Sequence, residues 1–252
     1  MIKNIIFDLG GVLLNIDFAL TQKAFSELGM ENALVKFSQH MQLGFFDQLD
    51  RGEISDEEFI SKVKSEMPSG TSDEDIRQAW NAMLLDFPQQ NYNLMLTVNK
   101  NYRTFLMSNT NSIHFPEYQK NLRETFGISS LDDLFEKSYY SFISGKRKPE
   151  ADFFELILNE NGLIASETVF IDDTLPNTRA SASVGIKGLY LPPELKLTDL
   201  FTKDGYLKDE GRVSYFYRDD SPKFVFSVNR KNLPYSQKIV PGIYFVKVAF
   251  FI

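Results

Sequence analysis

The chain has 252 residues, enough to bury a full core without covalent staples, and its lack of cysteine excludes disulfide frameworks, thiolate nucleophiles and Cys-based zinc sites. Its 27 Lys+Arg against 34 Asp+Glu give a formal charge of -7, so no global positive field draws it to nucleic acid or an anionic membrane, and a small-molecule ligand is expected. With only 2 His, there is little room for a His-rich metal site.

The first apolar run, residues 2–7, meets Asp8 too soon for a signal peptide, and the apolar stretch 242–252 is too short to span a bilayer and carries Lys247. A cytoplasmic protein is the expectation. Further apolar runs lie at 104–107, 137–141, 169–171 and 188–191, with helix-length amphipathic stretches between the later ones. Continuous apolarity suits strands covered on both faces, so the alternation predicts an α/β fold, a Rossmann-like doubly wound parallel sheet. Residues 15–99 repeat apolar positions at helical spacing with no strand, far more than one crossover requires, and read as an inserted helical cap. Ser55-Asp56-Glu57-Glu58 has a capping-box pattern, and Thr71-Ser72-Asp73-Glu74 marks another helix start. The core would then comprise 1–14 and 100–200. Beyond 200 the texture changes, and alternation at 223–228 and 243–248 suggests an appended β-hairpin.

Ligands of open α/β sheets gather outside the carboxyl ends of the strands. Asp8 follows the first strand into Leu9-Gly10-Gly11, and the second ends in Ser108-Asn109-Thr110-Asn111, whose hydroxyl and amides suit phosphoryl oxygens as neutral donors. After the fourth strand, Asp172-Asp173 form an adjacent pair that is costly unless a cation offsets the repulsion, and hard oxygen ligands suit Mg²⁺. In Ser144-Gly145-Lys146-Arg147-Lys148-Pro149, Lys148 precedes a helix start and could clamp a phosphate or a nucleophilic carboxylate. Taken singly, each of these also suits a turn, a helix cap or a solvated basic loop.

The order of acid, hydroxyl, lysine and paired acids resembles the haloacid dehalogenase superfamily of phosphohydrolases over residues 1 to about 191. The resemblance implies that Asp8 is a nucleophile forming a phosphoaspartyl intermediate. It also implies that Ser108 and Asn109 hold the transferring phosphoryl and that Lys148 neutralises charge around it. Asp173, with Asp172 directly or through water, would complete a Mg²⁺ site with Asp8 and the Gly10 carbonyl. The segments Phe7-Asp8-Leu9-Gly10-Gly11-Val12, Arg51-Gly52-Glu53-Ile54-Ser55, Ser108-Asn109-Thr110-Asn111, Arg147-Lys148-Pro149-Glu150 and Phe170-Ile171-Asp172-Asp173 resemble the branch that includes α-D-glucose-1-phosphate phosphatase. That likeness implies a small phosphate ester as partner, sugar phosphates such as glucose 1-phosphate first.

One position departs from the family pattern. Where a second aspartate normally serves as general acid, two residues after the nucleophile, this chain has Gly10. Asp17 and His114 are the candidate replacements. Two rival readings stay open at this stage: a metal-independent haloacid dehalogenase, and a weakly active phosphate-binding or regulatory protein. Oligomeric state is not legible.

Overall fold

A computed structural model describes residues 1–31, 33 and 44–208. Among them, five strands form one parallel sheet: β1 (Asn4–Phe7), β2 (Arg103–Ser108), β3 (Lys137–Tyr140), β4 (Thr168–Asp172) and β5 (Lys187–Tyr190), in the order β3-β2-β1-β4-β5. The chain winds outward from β1 to β3, returns to β4 on the other side of β1, and so creates a switch point beside β1. Phe7 is in register with Leu106 of β2 and Ile171 of β4, which brings the exits of all three strands to one edge.

The period of two along a strand decides which face each side chain covers. Ile5 and Phe7 join a core cluster with Leu106, Val169 and Ile171, whereas Ile6 joins Phe105, Met107 and Phe170 on the opposite face. Both faces are covered by helices, which explains the unbroken apolar runs. On the first face lie α5 (Gln89–Val98), through Met95 and Val98, and α6 (His114–Phe126), through Tyr118 and Leu122. On the second lie α8 (Ala151–Asn161), through Phe153, Phe154 and Ile157, and α9 (Leu175–Ser183), which packs on β4 and β5. The remaining short helix, α7 (Ser141–Ser144), follows β3.

Between β1 and β2 come α1 (Phe18–Glu27), α2 (Phe45–Asp50), α3 (Asp56–Lys64) and α4 (Asp73–Asn81). Ser55 accepts the Glu58 N–H at the start of α3, and Ser72 with Asp75 forms a reciprocal capping box on α4. These helices have their own core around Phe25, Phe46, Leu49, Phe59 and Trp80, with ring pairs such as Phe46–Phe59 at 5.6 Å and 72°. Burying each such side chain stabilises by about 1.5–3 kcal/mol, so the insert has a core of its own. The apolar side chains of 15–99 are divided: Met95 and Val98 of α5 pack with the sheet instead.

Residues 201–208 stay on this core. Phe201 stacks on Phe7 at 6.3 Å, and the Leu207 N–H donates to the Tyr102 hydroxyl. The expected hairpin over 223–248 lies outside the described residues. No helix among the described residues is long and apolar enough to cross a membrane.

Candidate active site

At the β1 exit the Asp8 N–H still donates to the Ile171 carbonyl, so the strand fixes the backbone, while Asp8 Oδ1 accepts the Leu9 N–H at 2.7 Å. Lys148 is 2 % exposed and its Nζ bridges two strand exits, 2.5 Å from Asp8 Oδ1 and 2.8 Å from Asp172 Oδ2. Asp172 is fixed further by the Thr174 N–H and by Asn177 Nδ2, which donates to both carboxylate oxygens. Asp173 takes its bond from the Thr174 hydroxyl. The loops are also interlocked: Gly11 has φ +77°, and a Cβ there would lie 2.1 Å from Asp173 Oδ2. Only glycine admits both that conformation and that approach.

Carboxylate oxygens of Asp8, Asp172 and Asp173 lie within 4.8 Å of one another. Burial, with Asp172 and Asp173 adding to it, raises the Asp8 pKa well above the ordinary carboxylate range despite the opposing pull of Lys148. Burial and Asp172 push Asp173 up to about 6. Burial acts to lower the Lys148 pKa, but Asp172 and Asp8 outweigh it and hold the ammonium above its usual value. One lysine therefore leaves the three carboxylates under-neutralised. All-oxygen donors carrying this excess negative charge fit a hard divalent cation such as Mg²⁺.

Ser108, the last residue of β2, is 2 % exposed and lines the same cleft, about 380 Å³ in volume. Asn109 lines it too, but both ends of its amide are taken by the Lys148 backbone: Nδ2 donates to the carbonyl and Oδ1 accepts the N–H, each at 2.9 Å. Its side chain thus holds Lys148 in place. The six side chains singled out from sequence (Asp8, Ser108, Asn109, Lys148, Asp172 and Asp173) and the Gly10 backbone accordingly converge on one edge of the sheet.

Gly10 is enclosed by its surroundings: a Cβ there would sit 3.0 Å from Ile16 Cδ1. Neither candidate replacement acid is placed to donate a proton. Asp17 is exposed, caps α1 by accepting the Ala19 N–H, and is not among the residues lining the cleft. His114 does line it, but its Nδ1 lies 2.7 Å from Asn81 Oδ1. An amide oxygen only accepts, so Nδ1 carries the proton and Nε2 is an acceptor. Burial lowers the His114 pKa to about 3, which keeps the ring neutral.

Sequence reasoning missed the wall opposite the strand exits. Phe18, Trp80, Met83 and Leu84 from the insert line it, together with Asp50, whose Oδ1 accepts from Asn111 Nδ2 at 3.1 Å. Arg147, beside Lys148, pairs with Asp47 and lies 3.6 Å from Asp50, while Arg51 pairs with Glu150. The insert is thereby tied to the loop that carries Lys148. At Gly52 (φ +68°) a Cβ would lie 2.2 Å from the Phe142 carbonyl oxygen, a second point of close contact. Partners about 100 residues apart leave no local periodicity, so the sequence carried no signal for this contact beyond the charged residues of 47–51 and 146–150 themselves.

Comparison with known proteins agrees with this geometry. The haloacid dehalogenase-like hydrolase family matches residues 2–185. D-ribitol-5-phosphate phosphatase of Bacteroides thetaiotaomicron is 30% identical over 192 residues, 74% of this chain and 90% of that protein. A sesquiterpene phosphatase of Aspergillus oryzae is 28% identical, over 77% of this chain and 91% of its own length. Among solved structures, a haloacid dehalogenase family enzyme of B. thetaiotaomicron in complex with magnesium and inorganic phosphate superposes with a TM-score of 0.76 at 33% identity, covering 81% of this chain and 100% of that one. The chain belongs to the haloacid dehalogenase-like hydrolases.

Proposed function

We propose that the chain is a Mg²⁺-dependent phosphatase of small hydroxylated phosphate monoesters, working through a phosphoaspartyl intermediate on Asp8. As a haloacid dehalogenase-like hydrolase with phosphatase relatives, it is a phosphoric monoester hydrolase. The observation that carries the mechanism is Lys148 Nζ bridging Asp8 and Asp172 in a cluster of three carboxylates. Asp8, Asp172, Asp173 and the Gly10 carbonyl would hold Mg²⁺, which when bound supplies positive charge beside the phosphoryl oxygens.

An Asp8 carboxylate oxygen bonds to phosphorus as the ester P–O bond breaks and the alkoxide departs; water then attacks phosphorus, releasing inorganic phosphate and restoring the carboxylate. Lys148 opposes the burial that raises the Asp8 pKa and, with a bound cation completing the neutralisation, would favour the ionised carboxylate for attack; it also offsets charge on the phosphoryl group, to which the Ser108 hydroxyl donates. The metal-independent dehalogenase reading loses ground, because a carboxylate trio with one lysine calls for a further cation.

For the substrate, the relative named for D-ribitol 5-phosphate puts pentitol and sugar phosphates first. Glucose 1-phosphate, implied by the branch resemblance, belongs in the same panel. The test is phosphate release from pentitol 5-phosphates, glucose 1-phosphate and p-nitrophenyl phosphate with Mg²⁺. Turnover that survives intact in Asp8→Asn, or in excess EDTA, defeats the mechanism.

A further inference from the structure

The insert side of the cleft is largely apolar, through Phe18, Trp80, Met83 and Leu84, and these side chains alone would favour an apolar leaving group. His114 interrupts that wall. Its ring stacks on Trp80 at 4.9 Å and 18°, and its Nδ1–H is committed to Asn81. Among the described residues Nε2 has no hydrogen-bond partner, and the 6 % of His114 that remains exposed belongs to a residue lining the cleft. Nε2 is not one of the fully buried unpaired atoms, so solvent reaches it; a ligand that covers it without donating a hydrogen bond leaves the acceptor unpaired and is penalised, whereas a hydroxyl satisfies it.

We propose that His114 Nε2 accepts a hydrogen bond from a hydroxyl of the leaving group, which makes His114 a specificity-determining residue for polyol or sugar phosphates over apolar phosphates of the same length. The inference rests on the phosphatase reading above and extends it to one atom. Asn81, by holding the proton on Nδ1, is a positioning residue for that acceptor. Burial reinforces the assignment by keeping the imidazole neutral, so Nε2 stays an acceptor at any pH at which the protein is assayed.

The test compares kcat/KM for ribitol 5-phosphate and n-pentyl phosphate with saturating Mg²⁺. A site built around a substrate hydroxyl discriminates against the analogue lacking it, so the wild-type ratio should be about tenfold or more. His114→Phe preserves a ring against Trp80 but removes the acceptor, and should bring the ratio to within about threefold of unity. Asn81→Leu leaves the imidazole in place but releases its tautomer, and should lower the ratio by about threefold. If the wild type discriminates and both variants keep its ratio, the inference is overturned while the substrate class stands. Should His114→Phe fail to fold, an unchanged ratio in Asn81→Leu overturns it alone. A wild type that cleaves p-nitrophenyl phosphate but shows no preference for the hydroxylated ester overturns the substrate class together with the inference, and one that cleaves no phosphate overturns the phosphatase reading itself.

Discussion

On the strand-exit side of the cleft, three carboxylates and one ammonium are packed into a few ångströms, Asp8 and Asp172 held by backbone N–H groups, Asp173 by the Thr174 hydroxyl and the ammonium by the carboxylates. On the opposite wall, aromatic and aliphatic side chains of the insert predominate, and His114 of α6 beside them is held neutral. The first side is electrostatically costly and gains from a cation and an anionic phosphoryl group; the second rests mainly on apolar packing, with its one buried carboxylate, Asp50, met by Asn111 and Arg147. Chemistry is concentrated at the strand exits, while the opposite wall combines insert side chains with His114 of α6. The two are joined, because Asp47, Asp50 and Arg51 of the insert pair with Arg147, Asn111 and Glu150 around the loop that carries Lys148.

The sharpest way to break that division is Asp8→Asn. It removes the nucleophile while preserving size, and should lower kcat for every phosphate ester by about 10⁴-fold or more. A residual rate within tenfold of wild type would mean that bond breaking does not pass through Asp8.

Next in size is the consequence of Gly10. A positioned general acid contributes roughly 10²–10⁴-fold, and without one the leaving oxygen departs with more negative charge. Single-turnover phosphorylation of Asp8 should therefore rise steeply with leaving-group acidity across simple alkyl and aryl phosphates. A flat dependence, with that step shown to limit, would mean that another group in the cleft donates the proton.

Metal binding should then stabilise one side only. Mg²⁺ at about 100 times its dissociation constant should stabilise the fold by about 2.7 kcal/mol through binding to the native state. In Asp173→Asn the increment should shrink, whereas in Trp80→Phe it should persist; thermal melts with and without Mg²⁺ provide the comparison.

The smallest effect is an acid sensitivity on the neutral side. The folded-state pKa of His114, about 3, lies below the ordinary 6.5, so between those values the unfolded chain binds the extra proton. The contribution is whole above pH 6.5 and is lost as pH falls, by about 1.4 kcal/mol per unit. Asp8 and Asp173 titrate in the same window with the opposite sign in either protein, so the reading is a difference: between pH 6.5 and 5.5, urea melts should show wild type losing about 1 kcal/mol relative to His114→Phe.

The two sides also differed in how far the sequence revealed them. Asp8, Ser108 and Asp172 were legible because each ends a continuous apolar run, and a parallel sheet with every strand exit at one edge brings such ends together. Observed strands begin and end within two residues of the apolar runs: β2 and β4 extend past their runs at both ends, whereas β1, β3 and β5 stop short at one, because pairing with the neighbouring strand and not apolarity ends the ladder. The insert wall was hidden. Which turn of α4 or which end of α2 faces the cleft depends on packing around Phe59 and Trp80, and helical periodicity reports only that a face is buried. His114 was noticed, but as a proton donor, because its partner Asn81 lies 33 residues away and decides the tautomer.

The contact between position 10 and Ile16 also bears on how a proton donor could be built into this cleft. A Cβ at Gly10 would meet Ile16 Cδ1, the far end of a half-buried side chain, at 3.0 Å, so the isoleucine must give by a few tenths of an ångström to admit an aspartate. The two positions are coupled: Ile16→Val removes the atom that meets the new Cβ, and Gly10→Asp should be accommodated more easily beside valine than beside isoleucine.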